Sequence, residues 1–268
     1  MDIERILAEY TEQGYARLGV VAKPHELAVL RARIDALMMG ERSYPGMFFQ
    51  KDTDNGLYED LHFRKGFEGP TLNYRKVEKL ELDPVFRAWA NHPVFEQFAK
   101  AWYGPRVVIY RALMFNKAAQ TGGSYLPWHQ DGGRFWGLDR EPSLQIWTAL
   151  DDADLEGGCV QLIPRTHTAG LVTPLGGLIQ PEHLDRAQAE ARAVSVPVKA
   201  GEVLLIHNHL WHRSKRSSSG EARRGLTVCY MHADTKCLRT KRAPRVFYRV
   251  FPSPDPYVPV GEWVGESA

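Results

Sequence analysis

Two hydrophobic periodicities divide the chain near residue 104. Towards the N-terminus apolar side chains return at helical spacing: Ile3, Ile6, Leu7 and Tyr10 fall on one face, with Asp2 placed to cap the helix and Gly14 to stop it. The run GYARLGVV then reads as a strand, and Pro24 opens a second helix carrying Leu27, Leu30, Ile34 and Leu37, which Gly40 ends. A further helical stretch begins at Asp83-Pro84 and runs through Trp102, broken near His92-Pro93. Residues 41 to 75 show neither period, yet hold Tyr44, Phe48, Phe49, Tyr58, His62, Phe63 and Phe67, which predicts an irregular segment that covers the core or closes over a pocket.

After Gly104-Pro105 the pattern changes to short runs of β-branched and aromatic residues: RVVIYRALMF, SLQIWTAL, GGCVQLIP, AVSVPV, EVLLIH and GLTVCYMH, separated by Gly, Pro, Asp and Ser. Strands in series behind N-terminal helices predict a mainly β protein with flanking helices, a sandwich or barrel rather than a βαβ fold. The 268 residues are expected to form a single domain, with 1–104 as helical support and lid, 105–250 as the β core and 251–268 as a tail.

Candidate chemistry centres on LPWHQDGG, residues 126–133. In an extended segment His129 and Asp131 point to the same side and can share a metal ion, although an isolated HxD is more often a hydrogen-bonded corner. A third ligand is available in EVLLIHNHLWHRS, from His207, His209 or His212. Two imidazoles and one carboxylate leave three coordination positions open, which suits non-haem Fe(II); a closed zinc site would use a fourth ligand, usually sulfur. Arg223 lies eleven residues beyond His212 and opens RRGLTVCYMH, so an antiparallel return can bring its guanidinium fork back to a carboxylate bound near the metal. That favours His212, and leaves packing or hydrogen bonding to His207 and His209. Arg224, next along the strand, is expected to face solvent.

WHQD, IWTALDDADLEGGCVQLIPRTH, GEVLLIHNHLWHRS and ARRGLTVCY, in that order over roughly residues 105–232, resemble the phytanoyl-CoA hydroxylase-like branch of the Fe(II)/2-oxoglutarate-dependent dioxygenases. The resemblance implies a double-stranded β-helix (a cupin-like jelly roll), iron on His129, Asp131 and His212, and Arg223 on the distal carboxylate of 2-oxoglutarate. It places Ser214 and Trp147 against the same co-substrate, and Gln145 shares Trp147's strand face. It further implies oxidative decarboxylation of 2-oxoglutarate by O2, coupled to hydroxylation, desaturation or ring closure at a substrate C–H bond. Related halogenases replace the carboxylate with a small residue, so Asp131 points to oxidation rather than halogenation. Arg165-Thr166 departs from the commoner ending PGSH, which questions the turn after that strand.

Tyr125, Trp128, Arg134, Phe135 and Trp136 bracket the HxD pair, and Phe48, Phe49, Tyr58 and His62 lie in the covering segment. Such aromatic walls suit a ring-bearing small-molecule substrate, a natural-product or sugar-like biosynthetic intermediate. An acyl-CoA hydroxylase is the alternative, with Arg213, Lys215, Arg216, Lys241 and Arg242 as a basic rim; a non-catalytic jelly-roll binding protein, with no need for Arg223, is another. A formal net charge of +2 gives no reason to expect nucleic acid as partner, despite the basic 213–245 segment. With 44% hydrophobic residues but no apolar stretch of membrane-spanning length, and no secretion signal, the chain reads as soluble and cytoplasmic. Cys159, Cys229 and Cys237 are odd in number and lack CxxC spacing, as packed thiols would be. No sequence feature sets the oligomeric state.

Overall fold

A computed structural model of the chain describes residues 1–62, 66–239 and 245–251, with the backbone of 259–260. The N-terminal helices follow the expected periodicity: α1 (Ile3–Gln13) is capped by the Asp2 carboxylate and ends at Gly14, whose φ of 82° belongs to the left-handed region that glycine adopts freely. The second, α2 (Pro24–Met38), buries Leu27, Leu30, Ile34 and Leu37. The break at His92 separates α3 (Pro84–Ala90) from α4 (Pro93–Tyr103).

The strands are β1 (Tyr15–Val20), β2 (Phe48–Lys51), β3 (Tyr74–Glu78), β4 (Val107–Lys117), β5 (Leu126–Gln130), β6 (Leu144–Ala149) and β7 (Val160–Ile163). They continue as β8 (Gly177–Leu178), β9 (Val194–Val196), β10 (Glu202–Ile206), β11 (Trp211–Ser214), β12 (Arg223–His232), β13 (Phe247–Val250) and β14 (Pro259–Val260). The larger sheet runs β1-β10-β6-β12-β4-β13-β14, with β3 also on β4 and β2 on β3; the smaller runs β8-β5-β11-β7-β9. All pairings are antiparallel, and the two sheets make a double-stranded β-helix.

The helices pack on the outer face of the larger sheet. Ile34, Leu37, Phe95 and Phe98 bury against Ile109, Met114, Ile146 and Leu205 in the largest core cluster. The inner faces enclose two smaller clusters, one around Trp147, Leu162 and Leu204, the other around Tyr110, Trp136 and Met231. Gly225 is required here, because a Cβ on it would stand 2.5 Å from the Trp147 ring.

Three expectations need correction. The covering segment is not wholly irregular: β2 and β3 lie within or overlap its end and extend the larger sheet. Strand β1 also joins that sheet, so the β core recruits strands from before residue 105. Arg224 does not face solvent but pairs with Asp151 (2.7 Å) and Asp35 (2.6 Å) on the helix-covered side. The three cysteines are buried and free. Among the described residues no helix is long and apolar enough to cross a membrane. Phe63, Lys241, Arg242 and the tail beyond Phe251, apart from the backbone of 259–260, lie outside the described residues.

Candidate metal centre

Strands β5 and β11 pair with His129 directly opposite His212, so both imidazoles leave the smaller sheet on the same inward face. Their ring centroids are 4.0 Å apart. Asp131 follows β5, held by its backbone N–H donating to the Asn208 carbonyl at 2.8 Å. Ligand atoms of His129, Asp131 and His212 lie within 4.8 Å of one another, and among the described residues no other His, Cys, Asp or Glu joins this group.

The hydrogen bonds decide between a metal set and a polar corner. His129 Nδ1 lies 2.9 Å from the Pro127 carbonyl and His212 Nδ1 2.8 Å from the Leu210 carbonyl. A carbonyl only accepts, so both Nδ1 atoms carry the proton and both Nε2 lone pairs turn to the shared space. His212 Nε2 and Asp131 Oδ2 are 3.8 Å apart, beyond a hydrogen bond but compatible with two donors facing one ion. Two nitrogens and a carboxylate oxygen, with no fourth protein ligand among the described residues, fit Fe(II).

Both oxygens of Asp131 have a polar neighbour. Gln145 Nε2 donates to Oδ2 at 2.7 Å, and Arg111 Nη2 approaches Oδ1 at 3.6 Å. Burial pushes this carboxyl up, but His212, Arg111 and His129 outweigh it and the net shift is downward. Burial and the neighbouring His212 lower His129 to about 3, so the imidazole is neutral at physiological pH.

Arg223 begins β12 opposite Lys117 of β4 and lies in the same pocket as the metal set. Its side chain is buried; Nη2 donates to the Gly158 carbonyl at 2.6 Å, while Nε has no partner. Among the described residues no carboxylate pairs with it, and burial lowers it to about 10, leaving a charged guanidinium. The indole of Trp147 is 5.8 Å from the Arg223 guanidinium, and Ser214 lines the same wall.

Two further cations were not anticipated. Lys117 is buried with Nζ donating to the Ser124 carbonyl at 2.8 Å, and is pushed well below the usual lysine range by burial and then by Arg223 and Arg75. Arg75 donates to Gln50 at 3.0 Å and stands between the rings of Tyr58 and Phe115. The only sequence signal was positional: Lys117 ends a long apolar strand, and Arg111 interrupts it at an inward position.

The aromatic candidates divide. Tyr58 reaches the pocket wall through Arg75, Trp136 is buried against Arg111, and Phe135 and Arg134 are exposed. His62 is exposed, and Tyr125 is half-buried where Arg213 approaches it. Trp128 points away from the metal set, into a cluster with Ile163 and Trp211 on the other face of β5. Phe49 is core, packed on Phe67 and Tyr74. The turn at Arg165-Thr166 survives its unusual sequence: Arg165 takes φ 68°, and Thr166 Oγ1 donates to the Ile163 carbonyl and accepts from the Trp211 N–H.

A jelly roll enclosing two histidines, one carboxylate and a buried arginine without a counter-ion defines a class, the 2-oxoglutarate-dependent non-haem iron dioxygenases. The chain belongs to the phytanoyl-CoA dioxygenase (PhyH) family, whose model matches residues 10–225. It is 26% identical over 248 residues to a phytanoyl-CoA dioxygenase of Arabidopsis thaliana, spanning 84% of this chain and 87% of the relative. Among solved structures, SnoN, a non-heme alpha ketoglutarate dependent epimerase from nogalamycin biosynthesis, superposes with a TM-score of 0.67 at 19% identity, over 90% of this chain and 87% of that one. EctD from S. alaskensis, crystallised with 2-oxoglutarate and 5-hydroxyectoine, gives a TM-score of 0.66 at 19% identity, over 85% and 76%. These structural likenesses support the fold.

Proposed function

We propose that this chain is a cytoplasmic Fe(II)- and 2-oxoglutarate-dependent oxygenase that oxidises a C–H bond of a small, ring-bearing biosynthetic intermediate. His129, Asp131 and His212 would hold the iron. The observation that carries the reading is Arg223: a buried, charged guanidinium with no carboxylate of its own, in one pocket with a preset three-donor group. An unpaired buried charge is costly unless a ligand supplies the partner.

Bound iron with 2-oxoglutarate and O2 supplies the oxidising power, with succinate and carbon dioxide as co-products. The protein's own work is positional. The Arg223 fork, with Ser214 beside it, takes the distal carboxylate of the co-substrate, and Trp147 fixes the wall. Arg75, which lines the same pocket, raises the positive potential of the slot, which suits a dianion. Gln145 and Arg111 hold Asp131 so that its oxygens stay directed at the ion. Trp136, Phe135, Arg134, Tyr125, Tyr58 and His62 remain substrate-side candidates; the placements of Trp128 and Phe49 give those two no such role.

A free small molecule is favoured over an acyl thioester because two arginines of the basic rim, Arg213 and Arg216, are already engaged. Arg213 pairs with Glu190 and stacks on Trp128, and Arg216 donates to the carbonyls of Gly123, Asn55 and Thr121. SnoN in complex with nogalamycin RO and EctD with 5-hydroxyectoine hold ring-bearing small molecules, which supports the same choice.

Succinate formation tests the reading. Full-length protein given Fe(II), 2-oxoglutarate and air should release succinate slowly without substrate and faster with a substrate; omission of iron or His212→Ala should stop it. No succinate from folded, iron-supplied protein across a panel of ring compounds and acyl thioesters would overturn the proposal.

A further inference from the structure

Arg111, which touches Asp131, also lines a second cavity of about 530 Å³, bounded by Phe48, Lys79, Tyr110 and Arg245 among others. Arg111, Tyr110 and Arg245 of its wall are joined, through Trp136 behind them, into a continuous stack of two arginines and two rings. The Arg111 guanidinium lies 4.6 Å from the Trp136 ring centre, Trp136 stacks on Tyr110 at 4.3 Å and 6°, and the Arg245 guanidinium lies 4.5 Å from the Tyr110 ring centre. Such stacking orients a guanidinium while leaving its edge N–H groups free to bind a planar anion.

The cavity's charges are unbalanced. Among the described residues Lys79, Arg111 and Arg245 face Glu78 and Glu81. Glu78 is already shared between Lys76 (2.8 Å) and Arg111 (3.2 Å), and burial raises Glu81 to about 7, which weakens it as a counter-ion. Arg245 has no carboxylate within ion-pair distance among the described residues, and the Nε atoms of both Arg245 and Arg111 are buried without a hydrogen-bond partner. Arg111 is tied to Glu78 and Asp131 through its Nη atoms and lacks a partner only at Nε, so the guanidinium left without a counter-ion is that of Arg245.

We propose that Arg245, with Arg111, binds an oxyanion of the substrate, a carboxylate or phosphate, so that the enzyme acts on anionic small molecules. This rests on the oxygenase reading, since it takes the cavity's occupant to be the molecule presented to the metal. Arg111 then contacts both the bound anion and Asp131, which sets how far from the iron the anionic group lies.

Benzoate, phenyl phosphate and neutral benzamide would be titrated into the full chain, first metal-free and then with Fe(II) and 2-oxoglutarate without oxygen, by calorimetry and ligand-observed NMR. Benzoate or phenyl phosphate should bind, benzamide should not, and Arg245→Gln should weaken binding about ten- to a hundredfold, the factor expected for one charge-assisted contact. Arg245→Lys should fall between, and circular dichroism would check that both variants fold. Tighter benzoate assigns a carboxylate and tighter phenyl phosphate a phosphate. Benzamide binding as well as the anions, affinity unchanged in Arg245→Gln, or no anion binding would overturn the proposal. The visible band of the iron chelate separates the two claims: no band with Arg245-dependent binding sinks the oxygenase reading alone, and an intact band with Arg245-independent binding sinks the oxyanion site alone.

Discussion

Arg223 and Arg224 are neighbours on one strand, and they show two opposite uses of a buried cation. Strand alternation sends Arg224 to the helix-covered face, where Asp151 and Asp35 both pair with it, and sends Arg223 into the jelly roll, where no carboxylate among the described residues meets it. A charge whose partner is built into the fold holds the fold together, here α2 to the sheet. A charge without one contributes little to stability and leaves its pairing energy for a ligand. The same test separates Arg111, tied to Glu78 and Asp131, from Arg245.

The comparison breaks most sharply at Arg223. Arg223→Gln should weaken 2-oxoglutarate binding by about a hundredfold or more, as truncating one side of a buried charge pair does, with thermal stability unchanged or raised. Calorimetric affinity and melting temperature, read together, check both halves. Acids obey the same rule: Glu81 is buried, and its carboxylate accepts a hydrogen bond from the Ala112 N–H at 2.8 Å. Burial raises it from 4.5 to about 7, so the folded state holds its proton more tightly than the unfolded chain. Its contribution is therefore complete below about 4.5 and is lost as pH rises towards 7, by roughly 3 kcal/mol at most. Denaturant unfolding across that range should show this fall in wild type and a flatter profile in Glu81→Gln.

Arg224→Gln sharpens the contrast from the structural side. It leaves the half-exposed Asp35 unpaired and Asp151 with Arg31 as its remaining ion-pair partner (3.1 Å), and should cost about 2 kcal/mol of unfolding free energy while 2-oxoglutarate affinity stays near wild type. The smallest effect belongs to the turn at Arg165, whose left-handed φ of 68° suits glycine: Arg165→Gly should raise stability by about 1 kcal/mol in a melting experiment.

Much of the site was legible because its geometry is local. His129 and Asp131 share a face by alternation, and the spacing from His212 to Arg223 anticipated a β return. The same alternation argues against Trp128, one residue from His129 and so on the opposite face, although aromatic content alone had made it a pocket candidate. Strands β2 and β3 escaped notice because they are short and buried on neighbouring positions, which leaves no period of two to read. Arg75, Lys117 and Arg245 were illegible as site residues for a different reason: sequence shows that a cation is present, but only the fold shows whether a carboxylate reaches it. The pairing of Arg224 was hidden equally, since Asp35 comes from a helix far away in the chain.

The central claim is that His129, Asp131 and His212 hold iron while Arg223 holds the far carboxylate of 2-oxoglutarate. Anaerobic titration of Fe(II)-loaded protein with 2-oxoglutarate, followed by the visible charge-transfer band of the chelate, tests it most directly. The band should form in wild type and in Arg224→Gln, vanish in Asp131→Ala, and need far more 2-oxoglutarate in Arg223→Gln. A band that survives Asp131→Ala, or equal 2-oxoglutarate affinity in the Arg223 and Arg224 variants, would contradict the account.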